Sequence, residues 1–334
     1  MFVDTPNKQA IRRLWDLPIL RGSAQRFGSP LRYFGMPGAA IVDILDWENI
    51  LDLKTCIQIV RKPAKDREED LETLRKMKSN LMVRDVANWQ VLRGAIEDVI
   101  IKGYDADRNV PTRSQEIGSD LRFQYTLYNL DFLGGIAYRA GSKQDTAAKS
   151  LRVRALETLF TRQRGTNFTL FLTVNVRDTF GLEPTTFFAE EAVRSNSDLL
   201  TSTSAWLQGL DTGNKHHLLR LWIPLWIRSI AEMQGFKCHC FPAVFYVGHE
   251  NARMVHFAFE FDFIEGRELR VSSEQSAEQI VQLPFLSVNE GGFMFLSIAG
   301  DPTLQSTNPL PQVSESDLAV LTARAIVTAA QVPA

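Results

Sequence analysis

The residues best placed to do chemistry stand in the stretch Phe123 to Gly135, FQYTLYNLDFLGG, where Asn129, Asp131 and Phe132 close a run that is otherwise mostly aromatic, β-branched or aliphatic. Such a run, ended by polar residues and glycine, reads as the central strand of a parallel sheet covered on both faces. Ligands of open α/β sheets sit beyond the carboxyl ends of the strands, which is where Asn129 and Asp131 fall. They mark a hydrogen-bonding site in a crevice, although Asp131 reads equally as the partner of a neighbouring loop amide.

Other clusters carry less. Cys238-His239-Cys240 puts both thiols on one face of a strand and the imidazole on the other. A zinc site needs four converging ligands, and no second pair stands at suitable spacing, so buried cysteines and no metal are expected. His256, between Val255 and Phe257, reads as a hydrogen-bonded core histidine. His216 and His217 read either as a helix start or as the rim of a polar pocket. No nucleophile elbow, Walker loop, H-E-x-x-H or G-x-G-x-x-G is present, which argues against hydrolase, P-loop, zincin and dinucleotide-binding readings.

Composition sets the frame. The chain has 334 residues, 45% hydrophobic and 23% charged, with a formal net charge of -2. That is the profile of a globular protein able to bury a large core. The charge balance argues against a strongly electrostatic nucleic-acid binder while leaving room for a local basic patch. No apolar run long enough for a membrane span or secretory signal occurs, so a cytoplasmic location is expected. Three cysteines give no disulfide framework.

The elements that would position Asn129 and Asp131 follow from periodicity. Residues 1–28 predict a helix around Asn7 to Trp15 in a basic, solvated outer layer that includes Arg12, Arg13, Arg21 and Arg26. Strands are expected at 31–34, 55–60, 81–84, 123–130 and 168–176, each followed by a helix; the first is Ala39 to Leu51 and the third begins after an Asn88 cap. A buried helix from Leu218 to Gly235 leads to a hairpin of Cys238–Val247 and Arg253–Ile264 around the turn GHEN. Beyond it come a capped helix near Ser273, a second hairpin around Asn289-Glu-Gly-Gly292, and a last helix with a capping box at Ser314 and Asp317. Five βα units imply a parallel sheet with right-handed crossovers: an α/β, Rossmann-like three-layer sandwich closed by an antiparallel hairpin. The expected divisions are 1–28, an N-terminal helical extension; 29–266, the Rossmann-like domain; and 267–334, a C-terminal extension.

This order resembles the class I S-adenosylmethionine-dependent methyltransferases, whose five parallel strands are followed by a hairpin with its last strand inserted. The resemblance covers roughly residues 31–264. It implies that Phe34-Gly35-Met36-Pro37-Gly38, after the first strand, forms the glycine turn near the cofactor, with Phe34, Gly35 and Gly38 as cofactor contacts. It implies that Asp85, after the third strand, contacts the adenine. Asn129-Leu130-Asp131-Phe132 is similar to the fourth-strand motif of amino-methylating members, in which an acceptor draws on the amine proton and a ring packs on a flat base. The acidic residue usual at the end of the second strand is replaced by Val60-Arg61-Lys62, unless Asp43, Asp46 or Gln58 serves.

Three readings follow. One is a methyltransferase using S-adenosylmethionine on an amino group, with nucleic acid as partner. Another is an inactive methyltransferase-like scaffold that binds a nucleic acid or protein. The third is a Rossmann-like enzyme seating a nucleotide phosphate on the Gly35–Gly38 turn.

Overall fold

The computed structural model describes residues 4–58, 67–102, 125–132, 135–136, 150–176, 190–208, 215–266, 271–296 and 312–324. Arg61 and Lys62 lie outside them, as does the polar loop expected before the central strand.

Five strands run parallel in the order β3-β2-β1-β4-β5: β1 Leu31–Gly35, β2 Leu51–Gln58, β3 Trp89–Arg93, β4 Leu127–Asp131 and β5 Phe168–Asn175. β6 (Phe236–Cys240) and β7 (Val244–Val247) are two pieces of one strand interrupted at Phe241-Pro242-Ala243, where proline supplies no ladder donor. Both pieces pair with β8 (Arg253–Phe263), and β8 inserts antiparallel between them and β5. This is the inserted-last-strand arrangement expected from the sequence. β9 (Leu286–Asn289) then pairs parallel to β7 and turns back into β10 (Gly292–Phe295) through Glu290 and Gly291, both at positive φ, as a tight two-residue hairpin requires.

Helices cover both faces. On one face lie α1 (Pro6–Ala10), a π-helical segment (Ile11–Asp16), α2 (Leu17–Phe27), α3 (Val42–Trp47) and α4 (Arg67–Val83). The other face is covered by α5 (Ile96–Lys102), α6 (Leu151–Arg162) and, after α7 (Thr201–Gln208), by α8 (Lys215–Met233) and α9 (Ala277–Val281). The final helix, α10 (Glu315–Thr322), returns to the first face and begins with the expected Ser314–Asp317 capping box. The helix expected near Ser273 starts later, after the Ser276 cap.

Several expectations are corrected. Residues 81–83 are the last turn of α4, and the third strand is Trp89–Arg93, which had read as the start of a helix. A short apolar run such as Leu81-Met82-Val83 fits either period, whereas in Trp89 to Arg93 the strand formers Trp89 and Val91 alternate with Gln90 and Leu92. Asn88 therefore caps no helix; its side chain donates to Asp52 Oδ1 at the start of β2, 3.0 Å away. The second strand begins at Leu51, so the preceding helix is shortened to Val42–Trp47 with a 3-10 turn at Glu48–Ile50. The N-terminal helix is also no solvated outer layer, because Trp15 is 0% and Arg12 only 6% exposed.

Candidate functional site

β1 and β4 are neighbours from which the chain winds in opposite directions, so the crevice of the sheet opens at their carboxyl ends. Side chains alternate along β4. Asn129 and Asp131 point toward the N-terminal helix, while Tyr128, Leu130 and Phe132 enter the core on the other face. The loop after β1 turns at Gly38 (φ 68) and again at Ile41 (φ 50), a buried β-branched residue held in the left-handed region. That conformation costs on the order of 1–2 kcal/mol. It delivers Val42 and Asp43 to the crevice. The result is a cavity of about 120 Å³ whose polar wall includes Lys8, Arg12, Asp16, Asp43, Asn129, Asp131, Thr173 and His256.

These groups are tied to one another. Asn129 Nδ2 donates to Asp43 Oδ2 at 2.9 Å, and Lys8 Nζ donates to Asp131 Oδ2 at 2.9 Å. Arg12 reaches Asp4 at 2.8 Å and Asp46 at 2.9 Å, and lies 3.5 Å from Asp43. His256 is held at both ring nitrogens, Nε2 by Asp16 Oδ1 at 2.8 Å and Nδ1 by Thr173 Oγ1 at 2.9 Å. Burial pushes the Asp43 carboxyl up to about 7, with Arg12 and Lys8 opposing and Asp131 and Asp16 adding to the shift. For Lys8, burial acts to lower the ammonium, but the Asp131 carboxylate outweighs it and the net shift is upward. Arg12 is likewise raised: Asp43, Asp46 and Asp4 outweigh its burial.

Of the residues singled out from the sequence, Gly38, Asn129 and Asp131 meet at this cavity. Gly35 stands beside it for a different reason. A Cβ there would lie 2.5 Å from Tyr33 Oη and 2.7 Å from the Asn129 carbonyl oxygen, so the missing side chain makes room for the β1–β4 contact. Phe34 faces the opposite side of the sheet, packed on Tyr125 and Tyr128 with ring centroids 5.1 and 5.5 Å away. Phe132 also lies there, 2% exposed, with the Arg152 guanidinium 4.7 Å from its ring centroid. It offers the cavity no flat face. Asp85 is a correction too. It lies in the turn before β3, next to residues bonded to the start of β2, and thus at the amino end of the sheet rather than the site rim.

Sequence reasoning missed Lys8, Arg12, Asp16 and Thr173, named Asp43 only as a substitute acid, and placed His256 in the core. A signal existed. Lys8, Arg12 and Asp16 recur every four residues beside the apolar series Ile11, Trp15 and Ile19, so one helix face carries a charged line along an apolar one. His256 is the hydrogen-bonded buried histidine expected, and it also lines the cavity. The thiols of Cys238 and Cys240 are buried and 3.7 Å apart. Among the described residues, no group of three or more His, Cys, Asp or Glu side chains is placed to hold a metal, and no helix is long and apolar enough to cross a membrane.

Neither a protein-family model nor a curated protein matches the chain. Among solved structures it is similar to the YcgJ protein from Bacillus subtilis, with 9% identity, a TM-score of 0.35, and coverage of 74% of this chain and 99% of that one. It is also similar to an rRNA methylase from Streptococcus thermophilus, with 10% identity, a TM-score of 0.34, and coverage of 79% and 100%. The corresponding values for the precorrin-6y C5,15-methyltransferase from Geobacter metallireducens are 10%, 0.29, 72% and 86%. At this level the likenesses carry no argument about activity; the fold rests on the strand order itself.

Proposed function

We propose that the chain is an S-adenosylmethionine-dependent methyltransferase acting on a nucleophile that carries a removable proton. The observation that carries this reading is the meeting of Asn129 and Asp131 from β4 with Gly38 and Asp43 from the β1 loop in one cavity at the β1–β4 crevice.

The residues present fit such a cofactor at its amino-acid end. Asp43 suits an ammonium, Lys8 and Arg12 suit a carboxylate, and a wall holding Asp4, Asp16, Asp43 and Asp131 against two cations favours a positively charged group. The nucleoside end would extend toward Gln58 and Gly94, at the carboxyl ends of β2 and β3, where Gly94 N–H donates to the Gln58 carbonyl at 3.1 Å. The cofactor, when bound, supplies a methyl group on a sulfonium. The chain's own part is to orient the acceptor through Asn129 and Asp131 and to exclude water beneath the N-terminal helix. Phe132, buried under Arg152, argues against a base stacked on that ring, so the acceptor is better described as an amine or hydroxyl group than as a nucleobase.

A second reading, a binding scaffold without catalysis, is favoured by the Lys8–Asp131 ion pair, which occupies the acceptor side. Calorimetric titration with S-adenosylmethionine and S-adenosylhomocysteine decides between them. We expect saturable binding of both that weakens at least about tenfold in Asp43→Ala, the loss of one charge-assisted contact of about 1.5–3 kcal/mol. Absence of heat and of thermal stabilisation at millimolar ligand would leave the scaffold reading.

A further inference from the structure

One row of the sheet runs on from Asp131 to two residues that the methyl-transfer reading does not use, Thr173 and His256. Asp131 pairs with Thr173 across β4 and β5, and Thr173 pairs with His256 across β5 and β8, so the three side chains stand in line on one face and all reach the cavity. The N-terminal helix completes the line at both ends, with Lys8 on Asp131 and Asp16 on His256. The spans agree: eight residues of helix rise about 12 Å, and two strand spacings cover about 10 Å.

The hydrogen bonds have a direction. Asp16, as a carboxylate, only accepts. His256 Nε2 therefore carries the hydrogen of the 2.8 Å contact. In the neutral imidazole Nδ1 then presents its lone pair to the Thr173 hydroxyl 2.9 Å away, which donates. Asp16, Thr173 and His256 are 2%, 4% and 4% exposed. The chain thus desolvates three polar groups where apolar ones would fill the sheet face without that cost.

We propose that Asp16, His256 and Thr173 form a proton-withdrawing relay whose working end is the Thr173 hydroxyl in the cavity. A nucleophile seated between Asp131 and Thr173 loses its N–H or O–H proton to Thr173 Oγ1. The Thr173 proton passes to His256 Nδ1, so the nucleophile keeps its electron pair and one proton has moved to the imidazole. The imidazolium that forms is held by Asp16 and later returns its proton to solvent or product. His256 is the base; Asp16 is a positioning residue that fixes the tautomer. The relay stands on the row's geometry and needs no methyl donor, so it survives failure of the methyltransferase reading and can fail while that reading holds.

Diisopropyl fluorophosphate tests it, because a histidine-activated hydroxyl attacks phosphorus, fluoride leaves, and the hydroxyl proton goes to the imidazole. The full chain and a Lys8→Met variant, which loosens the roof, are incubated with the reagent and mapped by peptide mass spectrometry. The expected product is an adduct on Thr173 that is lost in Thr173→Val, kept in Thr173→Ser, and formed at least about tenfold more slowly in His256→Gln and Asp16→Asn. Nitrogen-15 spectra of the labelled histidines supply a readout that a merely structural role would not move: Asp16→Asn shifts the ring hydrogen of His256 from Nε2 to Nδ1. No adduct on Thr173 in either chain, or an adduct whose rate is unchanged in both His256→Gln and Asp16→Asn, overturns the proposal.

Discussion

Asp43 is an acid pulled in two directions. Burial favours its neutral form, Arg12 and Lys8 favour the charged one, and burial wins, placing the carboxyl at about 7. In the unfolded chain this group titrates near its ordinary value of 3.8. Between about pH 4 and pH 7 the folded state therefore binds a proton that the unfolded state has lost. Stability from this residue is full below about pH 4 and falls as pH rises toward about 7. The side chain is only 15% exposed, so solvent screens it little. The resulting difference in stability is on the order of 2–4 kcal/mol. Denaturant titrations at about pH 5 and about pH 7.5 should show this loss in the native chain and a nearly flat response in Asp43→Asn; equal slopes in the two proteins would rule the assignment out. The same residue scale explains what could be read in advance. Asn129 and Asp131 announced themselves by ending an apolar run, a local signal. What raises Asp43 is its burial in the folded chain, opposed by Arg12 and Lys8 of the N-terminal helix, and one strand's composition says nothing about either.

Among the elements, the N-terminal helix decides the character of the site. Its π-helical turn sets Arg12, Trp15 and Asp16 inward together. Wide turns of this kind recur at functional sites. Trp15 stacks on Phe293 of β10 at a centroid distance of 6.0 Å, while Lys8 and Asp16 hold the polar row. The cavity of about 120 Å³ is small. Ordinary ligand sites start at roughly 300 Å³, so this cavity holds only part of anything as large as S-adenosylmethionine, and lifting of this helix would widen it. Removing the Lys8 anchor should make lifting easier. In Lys8→Met, amide exchange across residues 4–16 is expected to rise at least about tenfold, the loss of one partly buried ion pair, with β5 unchanged. Exchange that stays at the native rate would mean the apolar contacts alone hold the helix. The strands and the closing hairpin were legible because alternation and turn residues are local. The third strand was misplaced because Leu81 to Val83 satisfied either period and the true strand followed close behind. The helix was read as surface because Arg12 and Arg13 look alike in sequence; only the folded chain shows that Arg12 meets Asp4, Asp43 and Asp46 while Arg13 is 60% exposed.

At the scale of the whole molecule, both ends of the described chain converge on one buried acid. Glu260 of β8 is 0% exposed and receives Ser23 Oγ at 2.5 Å, the Arg26 guanidinium from α2, and Arg324 at 3.4 Å from beyond α10. Arg324 also reaches Asp262 at 2.5 Å. Crowding shows in the neighbours: burial, with Arg324 close by, lowers Arg26 to about 10, and burial with both cations nearby drops His239 to about 3. Breaking a buried charge cluster by removing one partner costs on the order of 3–5 kcal/mol, so Arg324→Met should lower the thermal midpoint by several degrees. Double substitution with Glu260→Gln should recover part of the loss; a single variant as stable as the native chain would show that the cluster holds nothing together.

Because Lys8 and Asp16 ride on the same short rod, neither can let go without disturbing the other. A guest that displaces the ammonium from Asp131 also tugs the carboxylate that steadies the imidazole, some two strands away. Occupancy at one side of the crevice thus bears on how the imidazole is seated at the other, with no long chain of intermediaries between them.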